Sequence, residues 1–227
     1  MIDLERVKKQ LIKSIHHEMP IEMILDYHDT LYAKLDAVSR YVLQELSHPN
    51  IKGPAAGQNE HFAIQQATCD VFDNTNIKYN LVETEAKGAF FPLIELEGIA
   101  LLPRRSVTRQ EWNKAKYMRE LAKQNQNENL NFKQDDLFTP ATTATTDNYS
   151  NYITNKILVI VDICFLDKVY IKFVVPSSDL KDIHLTVSLE DVISDIETVS
   201  DTKDAELNPT SKLKKSLLEL DKIVKNA

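Results

Sequence analysis

The chain has 227 residues, 43% hydrophobic and 27% charged, enough for one large domain or two small ones with a real core. Its 4 glycines nowhere cluster into a loop that lets backbone approach a phosphate, which disfavours the glycine-rich nucleotide-binding enzymes. A formal charge of −7 argues against nucleic-acid or membrane binding by the surface as a whole, while leaving room for a local basic patch.

Cys69 and Cys164 stand far apart in apolar surroundings and make no disulfide framework, which fits a reducing compartment. No apolar run approaches the about 20 residues that span a bilayer. Met1-Ile2-Asp3-Leu4-Glu5 has no basic segment followed by an apolar one, so a signal peptide is not expected. The expected location is the cytoplasm, without membrane attachment.

In chain order, Leu4, Val7, Leu11 and Ile15 recur at helical spacing. Pro20 then opens a longer helix to about Leu46, its stripe running Ile21, Ile24, Leu25, His28, Leu31, Leu35, Val38, Val42 and Leu46. That near-heptad spacing suits a helical hairpin or an intermolecular pair. Residues 48–59 hold two prolines and two glycines and read as a loop, followed by a third helix over about 60–72.

β character follows. Residues 77–85 are strand-like, and 90–96 with 99–102 form a hairpin around Glu97-Gly98 that sets Leu96 opposite Ile99 and Ile94 opposite Leu101. Thr108 with Glu111 is a capping box, and Val107 with Trp112 its hydrophobic staple, so one helix is expected from Arg109 to about Lys123. Residues 125–155, rich in Asn, Gln and Thr, read as a polar linker or surface excursion. A second hairpin spans 156–175 and ends at Pro176. Its loop Leu166-Asp167-Lys168 places Ile157, Val159, Val161, Ile163 and Phe165 on one apolar face and pairs Asp162 with Lys172 on the other. Ser188 with Asp191 starts a helix, and Leu213, Leu217, Leu220 and Val224 mark a last one behind an acidic linker.

The expected fold is therefore α+β: an N-terminal helical region, then two antiparallel hairpins in one sheet with helices packed against it. The expected division is 1–124, a linker at 125–155, and 156–227, or a single domain overall.

Three functional readings compete. In the first, Glu85-Ala86-Lys87 at a strand end places a carboxylate and a lysine on one side, suited to Mg²⁺ and a developing phosphate charge. Asp70 or Asp73 would supply a second ligand and Glu60 a third. This resembles the PD-(D/E)xK nuclease pattern in three residues, and the resemblance implies a Mg²⁺-dependent nuclease. It departs from that pattern in having its aspartates at a helix end and no Pro-Asp dipeptide.

In the second, Arg104 and Arg105 are followed by Arg109, Lys116, Arg119 and Lys123. On one continuous helix at about 100° per residue the last four lie within an arc of roughly 80°. Such a surface suits nucleic-acid phosphates or an acidic partner.

The third reading is an interaction or regulatory protein, non-enzymatic, of the mobile-element, toxin–antitoxin or phage-defence kind. It needs no cofactor, and it rests on amphipathic helices suited to a protein partner or to self-association. It predicts a sizeable apolar patch, on the long helix or the last one. Neither a metal site nor a catalytic cysteine is expected. His16 and His17 point about 100° apart on a helix, the helical zinc motif is missing, and neither cysteine has a basic neighbour.

Overall fold

The computed structural model describes residues 4–84, 89–106, 109–125, 149, 152–153 and 156–194. Three helices come first: α1 (Leu4–Glu18), α2 (Ile21–Glu45) and α3 (Pro49–Phe72). Then come β1 (Lys78–Glu83), β2 (Phe90–Leu96), β3 (Ile99–Arg105), α4 (Arg109–Lys114), α5 (Lys116–Ala122) and a 3₁₀ turn at Lys123–Asn125. β4 (Ile157–Phe165), β5 (Val169–Pro176), β6 (Ile183–Ser188) and α6 (Leu189–Ser194) complete the described elements. The capping pair Val107 and Thr108, and the last helix expected around Leu213 to Val224, lie outside the described residues.

The strands form a single six-stranded sheet in chain order, β1 to β6. Neighbours are antiparallel except β3 and β4, which run parallel with Arg104 beside Asp162. A parallel pair requires a crossover of a dozen residues or more, and α4 and α5 lie in it. The fold is α+β, as expected. Its finer arrangement differs from two hairpins: each expected hairpin gains a third antiparallel strand, β1 on the first and β6 on the second. Both expected hairpin registers hold, with Leu96 opposite Ile99, Ile94 opposite Leu101 and Asp162 opposite Lys172.

Side chains alternate across the sheet, so each strand feeds two cores. Leu101, Val159, Val161, Ile171 and Phe173 face α1, α2 and α3, packing on Leu11, Ile15, Leu31, Leu35 and Phe72. On the other face Leu102, Leu158, Ile160 and Val174 meet Trp112, Met118 and Leu121 of α4 and α5, with Tyr149 and Ile153. The apolar run Ile157–Val161 at the start of β4 follows from this burial on both faces. α6 returns to the first face, where Lys8 Nζ lies 2.9 Å from Asp191 Oδ1 and the His16 ring bonds the Val192 carbonyl at 2.8 Å.

Two helices depart from the sequence reading. Residues 49–59 belong to α3 rather than to a loop: Pro49 occupies the first turn, where it has no N–H to lose, and His48 caps the Asn50 N–H at 3.3 Å. The basic helix is interrupted at Ala115 (φ −79, ψ 120), which ends α4 and begins α5. The Arg119 guanidinium then donates to the freed carbonyls of Asn113 and Lys114.

Candidate functional site

α2 and α3 lie side by side, tied by an ion pair between Lys34 and Asp70 at 2.6 Å. Their inner faces serve the core. Tyr27 is buried and bonds Thr68 at 3.0 Å, and burial raises its hydroxyl pKa far above the ordinary tyrosine value. Their outer faces leave a groove of about 700 Å³ lined by Ala33, Ala37, Val38, Tyr41, Phe62 and Ala63 among others. Alanines hold its floor low because they stop at Cβ, while Tyr41 and Phe62, each 52% exposed, stand at its sides. A second depression continues along α2 past Tyr32, Asp36 and Arg40, where Asp36 and Arg40 pair at 2.5 Å. This is a mostly apolar surface with a polar margin on α2, the longest of the described helices. The sequence stripe includes Val38 of this lining but passes over Ala33, Ala37 and Tyr41, which recur every four residues away from the face of Leu31 and Leu35.

The residues of the nuclease reading divide. Glu85 and Lys87 lie outside the described residues. Asp70 is held by Lys34 and by the Gln66 amide at 2.5 Å, and these contacts keep its pKa below the usual carboxylate range. Asp73 accepts from the Tyr79 hydroxyl at 2.5 Å, and Glu60 accepts from Arg105 at 2.5 Å. Among the described residues no group of three His, Cys, Asp or Glu side chains is arranged to hold a metal ion. The Cys69 thiol is half-buried; burial raises its pKa, and Asp73 and Asp70 oppose the thiolate further.

The basic residues divide as well. Alternation along β3 sends Arg105 toward α3, against Glu60 and beside Gly57, and sends Arg104 to the opposite face of the sheet. Lys116 pairs with Glu120 at 3.6 Å, and Arg119 caps α4. Lys123 is exposed at the 3₁₀ turn, and the Arg109 side chain lies outside the described residues.

On the face that carries α4 and α5, the carboxyl ends of β3 and β4 bear a polar row. Arg104 adjoins Asp162, and Asp162 adjoins Lys172. Burial raises the Asp162 pKa above the usual carboxylate range, against the opposing pull of Ser106, Arg104 and Lys172. The Ser106 hydroxyl donates to Asp162 Oδ2 at 3.0 Å. His61, on α3, has its pKa lowered by burial and by the Arg104 and Arg105 charges.

No family model, curated protein or solved structure matches the chain. No described helix is long and apolar enough to cross a membrane.

Proposed function

We propose that this chain is a non-enzymatic interaction protein that receives an amphipathic helix of a protein partner in the groove between α2 and α3. The observation that carries the reading is the groove itself: two walls of helix, an alanine floor and two half-exposed aromatic side chains. Aromatic anchors around a shallow apolar trough suit helix-in-groove recognition, where a partner inserts side chains at helical spacing. The Asp36–Arg40 pair at the margin offers both signs of charge to orient such a helix.

The test is an affinity purification of the full chain from its native cell, with nuclease added to the lysate, beside Tyr41→Glu and Phe62→Glu. Both positions are exposed, so the variants should keep the wild-type circular dichroism and melting temperature. A stoichiometric protein held by the wild type and lost from both variants is expected. A protein held equally by all three, or recovery of nucleic acid alone, would overturn the proposal.

A further inference from the structure

Arg104 Nε and Nη1 and Asp162 Oδ1 are buried with no hydrogen-bond partner, as is the Trp112 indole N–H on the same face of the sheet. Such groups are rare in folded proteins because each forfeits its bonds to water and gains none in return. Here two of the residues carry opposite charge and occupy neighbouring positions on the parallel strands. Even so, no ion pair joins them among the described residues. Burying these charged atoms side by side without a bond to each other is costly, and the cost falls if one small group bonds both.

The geometry fixes what that group presents. Guanidinium nitrogens only donate, so it brings anionic acceptor oxygens to Arg104. Asp162 is held by Ser106 through Oδ2, leaving Oδ1 for a donor. Lys172, next in the row, gives the cluster a net positive charge and favours an anion. We propose that Arg104 and Asp162 form a binding site for inorganic phosphate, selective for a tetrahedral oxyanion that keeps an O–H group. Phosphate near neutral pH carries both anionic oxygens for Arg104 and a hydroxyl for Asp162. Sulfate offers the same shape and no proton, so it turns a bare oxygen toward the carboxylate and is rejected. These atoms are buried, so the proposed site has to open as phosphate enters.

Calorimetric titration of the full chain at pH 7, at matched ionic strength, with sodium phosphate, sodium sulfate and methyl phosphate tests this. The ester ionises a second time near pH 6 and at pH 7 mostly lacks the O–H. Phosphate should bind about tenfold or more tightly than either of the others. In Asp162→Asn the preference over sulfate should collapse, and in Arg104→Gln both anions should cease to bind. No binding of phosphate, or equal binding of phosphate and sulfate by the wild type, overturns the site. Methyl phosphate binding as well as inorganic phosphate overturns the role given to Asp162. If Arg104→Gln does not fold, the wild-type comparison and Asp162→Asn still decide.

Discussion

Single side chains do more in this fold than their types announce. Asn125 is buried and joins the crossover to the sheet: its amide donates to the carbonyls of Leu158 (3.1 Å) and Pro176 (2.9 Å) and accepts from the Leu158 N–H (2.8 Å). Asn125→Ala leaves three backbone groups without partners where water does not reach. It should destabilise the chain by about 2–4 kcal/mol in urea titration. A loss under ~1 kcal/mol would mean that water replaces the amide. The start of α6 is the opposite case, readable in advance. Ser188 Oγ accepts the Asp191 N–H at 3.1 Å, and Asp191 accepts the Ser188 N–H at 3.1 Å, as their spacing implies. Ser188→Ala should cost about 1 kcal/mol. Burial raises the Asp191 pKa, but Lys8 and Ser188 outweigh it and leave the pKa depressed. The stability from Asp191 is therefore present above its unfolded pKa of about 3.9 and is lost as pH falls through the lower folded value. In acid titration of stability, Asp191→Asn should flatten that limb; an unchanged limb would assign it to other carboxylates.

At the scale of elements, what is readable in advance depends on whether a local rule meets tertiary override. Alternation and turn length specify both hairpin registers, because a one-residue slip would turn Leu101 or Val159 out of the core. The same alternation is present in Ile183, Leu185 and Val187, yet a reading that stops the sheet at Pro176 passes over β6. The chain instead accommodates the proline with a register shift at Val175/Pro176. The first turns of α3 run against propensity, with Gly53, Pro54 and Gly57 inside a helix. Those glycines make a paired prediction. A Cβ at Gly53 meets nothing within 4 Å, so Gly53→Ala should stabilise by about 0.5–1 kcal/mol. A Cβ at Gly57 would stand 2.9 Å from Arg105 Nη1, and Arg105 is committed to Glu60. Gly57→Ala should therefore gain less, its helix benefit offset by the displaced ion pair, which is worth about 0–1 kcal/mol at a surface. Equal gains in thermal melts would show that Arg105 moves aside freely.

For the whole molecule, the joint between the two strand groups is the feature hardest to foresee. Nothing local in Ile99–Arg105 or Ile157–Phe165 announces that they run parallel, since that pairing is set by the crossover and by two cores closing on opposite faces. The candidate site shares this opacity: the groove depends on α2 lying beside α3, and the Arg104–Asp162 row exists only once β3 adjoins β4. One consequence is mechanical unity. Leu101 serves the core under α1–α3 and Ile160 the core under α4 and α5, but both sit in the central parallel pair. Leu101→Ala and Ile160→Ala should each cost about 2–5 kcal/mol. Trp112, the only tryptophan, reports on the second core by fluorescence, while far-ultraviolet circular dichroism is dominated by the long helices over the first. Both signals should fall in one urea transition, and either substitution should shift both together, because opening one core removes the support of the other. Two separated transitions, with Ile160→Ala moving only the fluorescence, would instead show that the layers unfold independently and that the central pair is a seam rather than a spine.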